Sequence, residues 1–301
     1  MKRSLYLLLA LTITAAPLLH AGESSGLTFL KLETNARSAA MGGTGTALYH
    51  APSLVHYNPA GIADMEHSEI QLMHTSWVQD MTMQYGSGVL SFGRASLGIS
   101  LYNASIDGIE VRTRPGPPET EFTARNFGTG ATFAYRLSPS FRAGVTGKLL
   151  YEKIHIDEAT GYGFDFGVQY SSTTPGLVFG FSVLNIGSMT DLRNEPTELP
   201  LTYRVGSSYE LPFTVEEMTI RLAVDALQYS GSDKLHLMFG GELGYSEMIF
   251  ARIGYQTGLA ARGITAGIGI FQGGFKLDYA YIPLQSDLGT AHLLSIGVVF
   301  R

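Results

Sequence analysis

Residues 291–300 read Ala-His-Leu-Leu-Ser-Ile-Gly-Val-Val-Phe, and the order of side chains in this run decides the fold. Leu294, Ile296, Val298 and Phe300 share one face, Ser295 and Gly297 fall on the other, and His292 stands near its start. A two-residue period is that of a β-strand with unlike faces. The run before it behaves alike: Phe275, Leu277, Tyr279 and Tyr281 alternate with Lys276, Asp278 and Ala280. Further back, Ile264, Ala266, Ile268 and Ile270 alternate with Thr265, Gly267 and Gly269, and Tyr162, Phe164, Phe166, Val168 and Tyr170 face away from Asp165 and Gln169.

Segments of this kind fall at 68–76, 81–92, 94–103, 125–136, 140–153, 161–171, 176–186, 200–210, 218–228, 235–245, 248–257, 263–271, 274–282 and 291–300, which makes 14 expected strands. In the second, Tyr85, Val89, Leu90 and Phe92 do not keep one face, and a β-bulge is expected there. Longer connections at 104–124, 154–160, 187–200, 229–234 and 283–290 alternate with tight links at Gly93, Ser138-Pro139, Thr173–Pro175, Ser246-Glu247 and Gln272–Gly274. That alternation of long outer loops and short inner turns belongs to outer-membrane barrels. The link near Gln79-Asp80 is short for an outer loop, and 212–217 is long for an inner turn.

Composition agrees. The chain holds 36 Gly, 16 Tyr and 16 Phe but one Trp, and charged residues are 15%, against roughly 25% in soluble domains. Its mean hydropathy is only slightly positive, as expected when alternate residues face lipid and a polar interior. With 20 Lys+Arg against 26 Asp+Glu and no basic block, nucleic acid is not an expected partner. Without cysteine there is no disulfide framework.

The chain opens Met1-Lys2-Arg3, continues apolar from Leu5 to Leu19, and reaches small residues at Ala21-Gly22. This is the layout of a cleavable secretory signal peptide over 1–21. The apolar run is shorter than the roughly 20 residues of a spanning helix. The expected organisation is signal peptide 1–21, N-terminal plug 22–67 and an all-β antiparallel transmembrane barrel over 68–301. A plug is expected because 14 strands enclose more space than side chains fill. Residues 23–67 supply it, being rich in small residues and lacking strand alternation.

Two stretches of that segment carry a family resemblance: Asn35-Ala36-Arg37-Ser38-Ala39-Ala40-Met41-Gly42-Gly43-Thr44-Gly45-Thr46-Ala47 and Tyr57-Asn58-Pro59-Ala60-Gly61-Ile62-Ala63. Together with His74-Thr75-Ser76-Trp77-Val78-Gln79-Asp80 and Gly108-Ile109-Glu110, they resemble the PorV/PorQ family, a branch of the FadL-like outer-membrane barrels. The resemblance implies that Arg37, Met41, Gly42, Gly43, Asn58, Pro59, Ala60 and Gly61 form a hatch. It implies two roles: type IX-like protein secretion with cargo and partner proteins, or passage of long-chain fatty acids and other hydrophobic small molecules. One departure is the C-terminus, where Phe300 is followed by Arg301 instead of closing the chain.

Each pointed reading has a plainer one beside it. Asn58-Pro59-Ala60-Gly61 is a gate or an ordinary Asn-Pro turn. Gly42-Gly43-Thr44-Gly45 is no phosphate cradle, since no Lys-Ser/Thr follows. His74, Trp77 and Asp80 shape a ligand entrance, or Trp77 is an interface aromatic, the expected reading. Arg142, Lys148, Asp165, Arg204, Arg221, Asp225, Glu242, Arg252, Lys276 and Asp278 are expected to face inward, where they tune passage or, the expected reading, pair with one another and with the plug. His50, His56, His67, His74, His155, His236 and His292 are scattered, with no G-x-S-x-G or H-E-x-x-H, so neither an enzyme nor a metal or cofactor site is expected. The expectation is a bacterial outer-membrane barrel of PorV/PorQ type in transport or secretion, in contact with membrane lipid. The alternative is a FadL-like passive channel, and an exported soluble all-β protein is disfavoured by the wide apolar faces.

Overall fold

The computed structural model describes residues 26–300 except 64, 78–79, 113, 115, 213–216, 259–261 and 286–288. The stretch 1–21, where a signal peptide is expected, and the terminal Arg301 lie outside the described residues. The strands are β1 (Ser68–Ser76), β2 (Met81–Phe92), β3 (Ala95–Val111), β4 (Thr120–Arg136), β5 (Phe141–Ile154), β6 (Asp157–Ser171) and β7 (Leu177–Met189). There follow β8 (Thr202–Glu210), β9 (Met218–Tyr229), β10 (Leu235–Tyr245), β11 (Ile249–Gln256), β12 (Ile264–Gln272), β13 (Phe275–Pro283) and β14 (Thr290–Phe300). Each pairs antiparallel with its neighbours in sequence, and β1 pairs with β14, closing a barrel of 14 strands. Closure matters because hydrocarbon offers no partner to an unpaired strand edge.

The alternation read from the sequence becomes an inside and an outside. In β12 and β13, Ile264, Ile268, Ile270, Phe275 and Leu277 are exposed, while Thr265 and Asp278 are buried. Exposed large apolar side chains recur on every strand, Leu149 and Phe275 each being 64% accessible. A water-soluble monomer does not present a continuous apolar belt of this kind; a barrel in lipid does. No helix among the described residues is long and apolar enough to cross a membrane.

The bulge expected in β2 is not there. β2 pairs in unbroken register with both β1 and β3. Met83, Tyr85, Ser87 and Val89 point inward, Leu90 and Phe92 outward. The pattern blurs because the inward face is itself apolar, packed against the N-terminal segment. Register shifts occur instead in β3 between Ile106 and Ile109, where Gly108 has φ +68°, and between β6 and β7 beside Asn185, with φ +65°. Two loops are also shorter than expected, because β3 and β4 stay paired up to Val111 and Thr120, and β5 and β6 up to Ile154 and Asp157. The long link at 212–217 lies largely outside the described residues.

Ile268, midway along β12, is 59% exposed on the outer face. Ile268→Lys is expected to destabilise the barrel by about 2–4 kcal/mol, read from urea unfolding in liposomes. Ser230→Lys, in the exposed β9–β10 connection, is expected to stay within about 0.5 kcal/mol.

Candidate functional site

Residues 26–63 run inside the wall as a chain of short turns: a 3₁₀ turn at Thr28–Lys31, the helix α1 at Ala36–Ala40, and 3₁₀ turns at Pro52–His56 and Pro59–Ile62. Asn35 starts α1 by accepting the Ser38 N–H at 2.6 Å, and Asn58 starts the last turn by accepting the Ala60 N–H at 3.0 Å. Both are the side-chain caps that such short turns need. Proline at the first position of each of the later 3₁₀ turns pre-sets the backbone.

Inward polar side chains hold this irregular backbone. Asp225 accepts the N–H groups of Gly45 and Thr46 at 3.0 Å each and the Thr46 hydroxyl at 2.6 Å. Arg204 donates to Asp225 at 2.9 Å and to the Gly43 carbonyl at 2.8 Å. Gln169 donates to the carbonyls of Thr46 and Leu48 at 3.1 and 2.9 Å. Asn58 donates to the carbonyls of Thr46 and Val168 at 2.8 and 3.0 Å. On the opposite wall, the Ala36 N–H donates to Ser295 at 2.9 Å.

Glycine lets the backbones meet. A Cβ on Gly254 of β11 would overlap the Gly42 nitrogen, and one on Gly167 of β6 would overlap the Asn58 carboxamide. Part of the high glycine content is thus the contact surface between wall and segment.

The lumen has two unlike halves. Toward the inner turns lies a cavity of about 280 Å³, lined among others by Arg37, Glu69, Arg221, Glu242, Lys276 and Asp278. Arg37 grips Glu242 with two bonds of 2.8 and 2.7 Å. Glu242 also accepts from Arg252 at 2.7 Å and Arg221 at 3.1 Å, and Arg252 continues to Asp278 at 2.6 Å. Lys276 pairs with Glu69 at 2.7 Å. Toward the outer loops, Leu27, Phe29, Leu30 and Leu32 pack against Met73, Met83, Tyr85, Tyr102, Leu150 and Ile282, with Trp77, Met81 and Leu284 at the edge. Tyr85 and Tyr102 meet edge-on with centroids 4.7 Å apart.

Between the halves, His56 has its pKa lowered from 6.5 to about 3, first by burial and then by the positive charges of Lys148 and Arg204. Its Nδ1 lies 3.4 Å from the Tyr102 hydroxyl. An imidazole held neutral here disfavours protonation of the packed state.

The wall carries a groove on its outer face, although β14, β1, β2 and β3 are paired in unbroken register beneath it. The groove, of about 470 Å³, opens where Gly86 of β2 leaves room between Leu72, Leu101, Phe127, Leu294 and Ile296. Its floor includes atoms of Met73, Tyr85 and Tyr102, members of the apolar cluster inside.

The structure gathers some of the sequence-predicted residues and separates others. Arg37 reaches Glu242, and Met41 is buried with Leu48, Leu54, Tyr57 and Ala223. Gly42 and Gly43 turn with φ +70° and +79°, and Pro59, Ala60 and Gly61 are buried against the wall. His74, Trp77 and Asp80 do not converge: His74 is exposed on the outer face, and Asp80 sits exposed in a turn with φ +55°. Trp77 packs on the lumenal apolar cluster with Arg262 4.8 Å over its ring, which corrects the expectation of an interface aromatic. The charges expected to face inward do so and pair, Lys148 with Asp165 at 2.8 Å among them. Asp225 meets both the charged wall and the N-terminal segment, as expected of the inward charges; the roles of Gln169 and Ser295 as anchors for that segment were missed, since only the partner backbone distinguishes them from other inward polar residues.

Glu242→Ala leaves Arg37, Arg221 and Arg252 without their shared carboxylate, so a loss of about 3–5 kcal/mol is expected, with faster hydrogen exchange at residues 35–46. Acid acts through His56. Because its folded pKa lies below the unfolded value, the unfolded chain binds the extra proton between about pH 6.5 and 3, and stability falls as pH drops through that window. His56→Phe is expected to flatten this part of the pH profile, measured by protease resistance of residues 26–62.

Comparison with known proteins places these features in context. The model of an uncharacterised protein family, UPF0164, matches residues 18–144. No curated protein matches by sequence. Among solved structures, the CymD monoaromatic hydrocarbon channel superposes with TM-score 0.65 at 13% identity, covering 92% of this chain and 99% of that one. The toluene transporter TbuX of Ralstonia pickettii gives 0.61 at 14%, covering 89% and 98%. A FadL homologue of Pseudomonas aeruginosa gives 0.57 at 12%, again covering 89% and 98%. The chain therefore has the fold of the FadL-like outer-membrane barrels.

Proposed function

We propose that this protein is an outer-membrane channel for hydrophobic small molecules, exported by its N-terminal leader and without enzymatic chemistry. One observation carries the reading: Met73, Tyr85 and Tyr102 belong both to the apolar cluster inside the barrel and to the floor of the groove outside it. An apolar solute entering from the outer loops meets apolar surface down to this level. Beyond it the lumen is crossed by the ion pairs around Glu242, and separating buried pairs costs several kcal/mol. The route of least cost runs sideways, past Gly86 into the lipid, where the paired strands β1, β2 and β3 must part locally but no charged group is desolvated.

In this reading the N-terminal segment is the hatch. Its residues Leu27–Leu32 fill the apolar half and yield to the solute, while the stretch from Arg37 to Thr46 stays anchored to Glu242 and Asp225. The structural neighbours carry hydrocarbons by their descriptions, which supports the channel over the secretion role implied by the resemblance to PorV/PorQ. No secretion partner is needed to explain the geometry.

Gly86→Phe fills the groove, where an added Cβ meets only the end of Leu72 at 3.3 Å. An added barrier of about 1–3 kcal/mol, typical of overpacking, slows passage roughly 5- to 150-fold. Uptake of a labelled aromatic hydrocarbon by cells making the barrel measures it, with heat-modifiable gel migration to confirm folding. Unchanged uptake in the folded variant sinks the sideways route.

A further inference from the structure

The register of the outer face sets three rows of side chains across the strands around the groove. The uppermost is polar: His292, Ser76, Thr82, Ser105 and Arg125 are successive cross-strand partners from β14 to β4. The lowest is apolar or bare: Ile296, Leu72, Gly86, Leu101 and Thr129. The row between runs Leu294, His74, Gln84, Asn103 and Phe127, so three polar side chains stand on the lipid-facing wall at the groove's upper rim. Polar groups at such a position are costly and mark a function by default.

Their hydrogen bonds form a directed chain. Asn103 Nδ2 donates to Gln84 Oε1 at 2.6 Å, and Gln84 Nε2 donates to His74 Nδ1 at 3.3 Å. His74 Nε2 in turn faces Ser76 Oγ at 3.5 Å. A carboxamide has two N–H groups, so Gln84 and Asn103 each keep one N–H beyond those bonds, on neighbouring strands above an apolar groove. Two residues of a tilted strand separate this row from the polar row above, a depth of about 5 Å.

We infer that the groove over Gly86 seats one acyl chain of a membrane lipid, whose ester carbonyl accepts the spare N–H groups of Gln84 and Asn103. The ligand class follows from the site: an apolar slot asks for a hydrocarbon chain, amide donors ask for an oxygen acceptor, and an acyl ester supplies the chain together with a carbonyl at its head. The lipid fills the groove from outside. The inference rests on the membrane-spanning reading and not on transport.

The test is native mass spectrometry of the full barrel in mild detergent, after incubation with a diester phosphatidylethanolamine or its diether analogue with equal chains. One diester molecule per barrel is expected, retained about fivefold or more over the diether, the scale of a lost carbonyl hydrogen bond. Gln84→Leu with Asn103→Leu removes the preference, while Gly86→Phe removes both lipids and leaves the barrel folded. Equal retention of the two lipids by the unaltered barrel, retention of neither, or a preference that survives in the double variant overturns the inference. Hydrocarbon uptake by the double variant separates the two claims: preserved uptake with lost lipid preference supports the lipid site without testing the channel.

Discussion

The pairing of β1 with β14 is the contact on which the rest of the molecule depends. Nine residue pairs, from Ser68 opposite Phe300 to Ser76 opposite His292, turn a sheet with two open edges into a wall with none. Hydrocarbon cannot satisfy a peptide group, so a sheet left open at this seam would not persist in a membrane. Closure at 14 strands then creates a second constraint, because the lumen is wider than inward side chains can fill. The N-terminal segment meets it with irregular backbone whose N–H and C=O groups find Asp225, Gln169, Arg204 and Ser295.

From that follows the division of the interior. Where the segment is held by charge, around Glu242, the lumen is polar and crossed by paired ions. Where it presents Leu27, Phe29 and Leu30, the lumen is apolar and aromatic. The groove at Gly86 lies beside the apolar half, away from the ion pairs around Glu242. Specificity of this kind resides in the site and not in the barrel as such.

Much of the fold was legible because a period of two, repeated in 14 segments, has few structural interpretations. Strands such as β1 and β10 match their expected limits, since both faces keep their character to the ends. β2 misled because its inward residues Met83, Tyr85 and Val89 meet an apolar partner supplied by residues 27–32 and 55–65, far from it in sequence. The hairpins β3–β4 and β5–β6 outrun their predicted ends because charged residues such as Asp107, Glu121, Asp157 and Glu158, which lie beyond those ends, read as loop. The candidate site was half legible. The small-residue stretch at 35–47 and the Asn58–Gly61 turn were visible as motifs, whereas the groove depends on a glycine, Gly86, whose neighbours across the sheet no local pattern reveals.

The most direct measurement is photolabelling of the barrel in intact outer membranes with a diazirine-bearing hydrocarbon, the adducts located by peptide mass spectrometry. The account predicts adducts on Met73, Tyr85 and Tyr102 that an excess of unlabelled hydrocarbon suppresses. Adducts confined to the charged inner cavity around Arg37 and Arg252, or no competable labelling at all, would contradict it.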